Sequence, residues 1–404
     1  MPSPALLPLR KGLTLAEGFD PRQNAFAFLR LTLALLVVVS HCFRLGGFGS
    51  DPLAKVAGAQ HTIGLVSVGM FFVLSGFLIS RSALRSASTV RFLWHRVLRI
   101  FPGYWICLLV CAFVFGPLVA LYEHGQLFTR IFSAPKDSPQ AFVLNNALLF
   151  HTSDLSLSGV INLRPLSIAG LLSHNPFPWV VNGSLWSLPY EFACYLGVGA
   201  LAALGVLRRR RFVILAFFLT LWGLYTFSFL DAQRFAETFP YAAFPELLMF
   251  SLYFSAGCTA FLYREKIPFS TGWMVLSLAA VGASLLLGLF GTVAPVALSY
   301  AFLWLAFKIP LRNFDAKGDF SYGTYIYAFP VQQGLALLGV HHGGFFLYLT
   351  WSLLITIILA ILSYRWIEAP CLRWKNFDPV HISGWGRKMP SRAPMPDPAL
   401  PASL

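Results

Sequence analysis

Residues 26–43 read FAFLRLTLALLVVVSHCF, and this stretch decides the fold. A helix needs about 20 predominantly apolar residues to cross a hydrocarbon core, and this run with its flanks supplies them. Two basic groups interrupt it, Arg30 and His41. At about 100° per residue, their separation amounts to three turns plus roughly 20°, so both side chains leave one face about 16 Å apart. A cation and an imidazole on one stripe of a membrane helix are costly, and they point to function.

The rest of the 404-residue chain supplies the same solvent: 57% of it is apolar and only 11% is charged. Apolar runs recur near 25–44, 62–80, 101–121, 185–206, 212–230, 245–263, 272–290, 292–307, 321–339 and 345–364. The fold class read from them is all-α, a polytopic transmembrane helical bundle of about ten spans. The 122–184 connection is long for a loop and contains AFVLNNALLFHTS, too short to span and read as interfacial or re-entrant. With a cytoplasmic N-terminus, the inner loops collect most of the 30 Lys and Arg residues. Only Arg44, Lys55, Arg130, Lys136, Arg164 and Arg234 fall on the other side. The positive-inside rule thus expects both termini in the cytoplasm, and membrane lipids as partners of the +14 net charge. Nucleic acid is not expected, because the basic loops are short and interrupted by membrane.

Residues 1–24 read as a cytoplasmic segment without a cleavable signal, so the first span is expected to be retained. Residues 25–375 form the membrane domain, and 376–404 a disordered cytoplasmic tail. The six cysteines show no CxxC spacing and read as free thiols. The adjacent His341 and His342 lack acidic or thiol company, so no metal is assigned.

Several side chains could carry chemistry. A neutral imidazole at His41 can take the proton of an incoming hydroxyl, the requirement of acyl transfer by general-base catalysis. Arg30, Arg96 and Arg99, with Arg91 and His95 nearby, offer a cradle for the phosphates of an anionic donor. Glu191 sits inside a span, two residues after Pro189, where it could pair with an arginine or orient His41. Gly69, Ser75 and Gly76 permit close helix approach. Trp186 and Tyr190 suit an interfacial belt, and Tyr322, Tyr325 and Gln332 are polar handles beside a kink at Pro330. Glu368 is expected to pair with Arg365 or a loop arginine.

Taken in order, NAFAFLRLTLALLVVVSH, VGMFFVLSGFLIS, FLWHRVLRIFPGYW, SLWSLPYEF, SYGTYIYAFPVQQ and YRWIEAP resemble the acyltransferase-3 family of integral-membrane O-acyltransferases. The family's arginine–ten residues–histidine motif falls on Arg30 and His41, and its RxxR motif on Arg96 and Arg99. Phe71, Phe72, Ser75 and Gly76 match its second-span pattern; Trp186, Ser187 and Glu191 match its Trp–Ser–x–x–x–Glu pattern. The resemblance implies transfer of an acyl group, usually acetyl, from acyl-CoA to a hydroxyl of a surface polysaccharide or its lipid-linked precursor in the bacterial inner membrane. On that reading His41 and Glu191 are catalytic, and Arg30, Arg96 and Arg99 bind acetyl-CoA. Ser75, Trp186, Tyr322 and Tyr325 contact substrate, with a protein partner left open. The chain departs from the pattern at Ala328, where many members carry a histidine. An appended hydrolase-like domain is not expected. Two rival readings are a transporter or flippase, and a same-fold enzyme acylating a small molecule or signalling oligosaccharide.

Overall fold

The computed structural model describes residues 13–21, 24–58, 61–127, 138–149, 166–167, 171–239, 245–309, 311, 314 and 318–377. Of the tail expected to be disordered, only Asn376 and Phe377 are among these residues, Asn376 closing a short 3-10 turn, Arg373–Asn376. Among the described residues, a helix occupies each of the ten expected segments. These are α1 (Phe26–Leu45), α2 (Ile63–Arg85), α3 (Thr89–His124), α4 (Leu188–Ala203) and α5 (Arg211–Leu230). The remainder are α6 (Pro245–Leu262), α7 (Thr271–Leu286), α8 (Phe290–Lys308), α9 (Ser321–Leu337) and α10 (Phe345–Lys375). Seven of them, all but α4, α7 and α9, are long and apolar enough to cross a membrane. The other three have 16, 16 and 17 residues.

Local chemistry sets the boundaries. Thr62 caps α2 by accepting from the Leu65 amide, and Ser88 caps α3 by accepting from the Arg91 amide. Because Ser88 starts the helix there, the arginine-bearing segment is continuous with the third span, which begins a dozen residues earlier than the hydropathy suggests. A π-helical turn at Cys111–Phe115 interrupts α3, and another at Tyr364–Glu368 interrupts α10.

Four helices frame the interior: α1 packs on α2, α9 and α10. The α2–α6 crossing is the tightest, because Gly76 and Gly257 face each other's backbone. A Cβ at Gly76 would lie 2.0 Å from the Phe254 carbonyl oxygen, and one at Gly257 would lie 2.0 Å from that of Val73. By contrast α5 and α7 bury few side chains and present Phe212, Phe217, Trp273 and Leu276 outward, as a lipid-facing surface requires.

The 122–184 connection contributes a helix of only 8 residues, Pro139–Asn146, docked on α3. Tyr104 Oη donates to the Asn146 carbonyl at 2.5 Å and Trp105 Nε1 to that of Ala147 at 2.9 Å. Residues 150–153 of the expected re-entrant piece fall outside the described set. Farther on, strand β1 (Leu166–Ser167) pairs antiparallel with β2 (Val180–Asn182), placing Asn182 against the middle of α9. There Pro330 cannot donate to the carbonyl four residues back, that of Ile326. Asn182 Nδ2 donates to this carbonyl at 2.9 Å and Cys107 Sγ approaches it at 3.4 Å, so the helix leaves no orphan acceptor at that position. All six cysteines are free.

Candidate active site

Two cavities lie along α1. The first, about 480 Å³, is walled by Arg30, His95, Arg96, Arg99 and Lys375, with Ser75, Glu191, Tyr195, Tyr322 and Tyr325 among the other polar lining groups. The second, about 640 Å³, is lined by His41, Arg44, Asp51, Asn182, Trp186 and Tyr325, with Phe329 beside the imidazole. Val68 and Tyr325 belong to both walls, so the two spaces abut there. Helical geometry explains the split: Arg30 and His41 share a face of α1 but are three turns apart, and each serves its own cavity.

Behind the arginine cavity's wall, one carboxylate absent from the sequence-based expectations organises the cations. Asp319 Oδ2 lies 2.9 Å from Arg30 Nη2 and 2.7 Å from Arg99 Nη2. Its other oxygen accepts from the Ser321 hydroxyl at 2.5 Å and from the Ser321 amide at 3.2 Å. Burial alone would raise the Asp319 pKa. The two guanidinium groups and the Ser321 donors outweigh that effect and hold it well below the ordinary carboxylate range. Glu368 approaches Arg99 at 3.8 Å, so its partner is an arginine of the second loop region, as expected, rather than Arg365. The sequence signal for Asp319 is slight: an acidic residue two positions before SYGTY, at the mouth of a span.

Arg96 differs from its neighbours. Among the described residues it forms no salt bridge, its buried Nε has no hydrogen-bond partner, and its guanidinium lies 6.0 Å from the Tyr195 ring centre. Glu191 is nearby and accepts from Ser75 Oγ at 2.9 Å and from Tyr195 Oη. Tyr322, one of the expected substrate contacts, donates to the Ile100 carbonyl at 2.7 Å while lining the same space.

The expected His41–Glu191 pair is not formed, which corrects the reading of Glu191 as the group orienting the imidazole. Glu191 lies one turn into α4, on the face that meets Ser75 of α2, and so belongs to the arginine cavity. His41 lies in the other. Its ring meets Phe329 edge-on at 5.3 Å between centres, and among the described residues its buried Nδ1 has no hydrogen-bond partner. Asp51 shares this cavity, yet its carboxylate is engaged by Ser40 Oγ at 2.5 Å and by the amides of Leu53 and Ile63. It ties the end of α1 to the start of α2. Trp186 lines the His41 cavity, and Tyr325 stands at the junction, bonded to Ser187 Oγ at 2.7 Å. Polar handle Gln332 proves to be a tie between helices, donating to the Val38 carbonyl of α1 at 2.9 Å.

Comparison with known proteins identifies the family. The acyltransferase domain family matches residues 23–365. An O-acetyl transferase of Shigella phage Sf6 is 28% identical over 357 residues, covering 86% of this chain and 95% of that protein. Nodulation protein 10 of Rhizobium leguminosarum bv. viciae is 27% identical over 384 residues, covering 89% and 96%. The exopolysaccharide production protein ExoZ of Rhizobium meliloti (strain 1021) is 34% identical over 114 residues, 24% of this chain and 35% of that one. No solved structure matches the chain. With apolar helices of spanning length and a family match over most of its length, the chain belongs to the acyltransferase-3 family and is a multi-pass membrane O-acyltransferase.

Proposed function

We propose that the protein transfers an acetyl group from acetyl-CoA to a hydroxyl of a carbohydrate acceptor, a surface polysaccharide or its lipid-linked precursor. On this reading it works in a bacterial inner membrane, both termini are cytoplasmic, and the arginine cavity faces the cytoplasm. One observation carries the proposal: a guanidinium-walled cavity and an imidazole-bearing cavity abut at Tyr325. The relatives' printed names, an O-acetyl transferase and an exopolysaccharide production protein, favour acetyl as the group and a glycan as the acceptor.

The donor fits the residues that would hold it. Arg30 Nε and Arg96 Nε are buried donors without partners in a wall rich in cations, which suits phosphate oxygens. Acetyl-CoA supplies a thioester carbonyl already activated toward attack. Arg30, Arg96 and Arg99 hold the phosphates, and Ser75 with Glu191 lines the route of the pantetheine arm toward Tyr325. His41 accepts the proton of the acceptor hydroxyl as its oxygen bonds to the carbonyl carbon, and returns that proton to the departing thiolate. Tyr325 Oη, at the junction, donates a hydrogen bond to the carbonyl oxygen as negative charge develops there. Trp186 offers the sugar an apolar face.

Purified protein in proteoliposomes, given radiolabelled acetyl-CoA and a bacterial glycolipid fraction, tests the reading. Label in the glycan with release of free CoA thiol is the expected result. A preparation that binds no CoA and releases no thiol overturns it.

A further inference from the structure

The arginine cavity is not a uniform ring of free cations. Two of its guanidinium groups come from different helices, Arg30 from α1 and Arg99 from α3, and they converge on a single oxygen of Asp319. Asp319 and Glu368 stand behind these arginines and do not line the cavity, whereas Arg30, Arg96 and Arg99 do. Ser321 holds the remaining Asp319 oxygen through two hydrogen bonds, so the carboxylate cannot turn without breaking them. Two long side chains that would otherwise each lose rotamer freedom on meeting a ligand are therefore ordered in advance.

We infer that Asp319 is a positioning residue that clamps Arg30 and Arg99 from behind into a preformed seat for the phosphate groups of the donor. It touches neither donor nor acceptor, and acts through the two arginines. The inference rests on the reading of the cavity as a CoA site. It extends that reading by dividing the three arginines: a clamped pair that fixes phosphate geometry, and an unclamped Arg96 that adapts. Removing the carboxylate should loosen the seat for a phosphorylated ligand and leave the pantetheine arm's own contacts untouched.

The test is equilibrium binding of CoA and of pantetheine, which lacks the phosphates, to the full-length protein in nanodiscs. Asp319→Asn is expected to weaken CoA binding by roughly tenfold to a hundredfold, with pantetheine binding unchanged within about twofold and with Asp319→Glu recovering part of the loss. Ser321→Ala keeps the carboxylate and the amide bond to it but removes the hydroxyl donor; a smaller loss in the same direction is expected, and this variant serves if Asp319→Asn fails to fold. Equal losses for both ligands would make Asp319 a structural support only, and overturn the inference. Unchanged CoA affinity in both variants would also overturn it. A wild-type protein that binds no CoA sinks the donor reading itself, a result separate from the other two.

Discussion

His41, toward one end of α1, and Asp319, paired with Arg30 toward the other end, state the residue-scale case. His41 has a buried ring nitrogen without a partner and faces a cavity with room for a sugar. If it is the base, His41→Gln should lower turnover by about 10²- to 10⁴-fold without shifting the unfolding midpoint. The check is kcat beside a thermal melt of the same preparation. Asp319 makes a different demand. A carboxyl whose pKa is depressed on folding contributes stability that is complete above its unfolded value, near about pH 4, and is lost as acid titrates the folded form. The stability advantage of wild type over Asp319→Asn should thus be full at neutral pH and shrink as pH falls below that value. Melting both proteins across the acid range measures it, and a gap that widens with acid would contradict the assignment.

At the scale of elements, two contacts decide whether the helices reach their places. Gly257 lets α6 meet α2 so closely that even one methyl group would sit 2.0 Å from a backbone oxygen. Gly257→Ala should therefore lower the melting midpoint in detergent and reduce activity with it, while the same change at exposed Gly223, where nothing lies within 4 Å, should do neither. The proline inside α9 has a more specific signature. Asn182 donates to the Ile326 carbonyl that Pro330 leaves without its helical donor. Asn182→Ala leaves that carbonyl only the 3.4 Å Cys107 Sγ contact and should cost about 1 kcal/mol. Adding Pro330→Ala restores a backbone donor, so the double variant should recover part of the loss. Additive destabilisation in a double-mutant cycle would show that the two residues do not act on one carbonyl.

For the whole molecule, the arrangement of two abutting cavities makes a claim about sidedness. The arginine cavity and the His41 cavity occupy successive levels of α1, so donor and acceptor should reach the junction from opposite membrane faces. In proteoliposomes of uniform orientation, acetyl-CoA should support transfer from one face only, and a soluble glycan acceptor from the other only. Transfer with both reagents confined to one face would refute this. The sequence reading foresaw residues that line the two cavities better than their grouping. Arg30, Arg96, Arg99, Ser75, Tyr322 and Tyr325 do share a cavity, and Trp186 lies with His41. Glu191 joined the arginines instead of the imidazole, because its direction is set by how α4 packs on α2, a contact between residues more than a hundred positions apart.

Composition and periodicity alone determined that this chain is a bundle of apolar helices, since a hydrocarbon solvent leaves the backbone no other economical way to satisfy its hydrogen bonds. They also marked the polar groups on α1, because each is expensive where it stands. Only the tertiary structure decided which charges meet: Asp319 between Arg30 and Arg99, Glu368 behind Arg99, Asn182 under Pro330. Such pairings depend on helix rotation and crossing. Those are fixed by close contacts such as Gly76 against Gly257; the local pattern marks Gly76 as able to approach a neighbour closely but not which helix it meets.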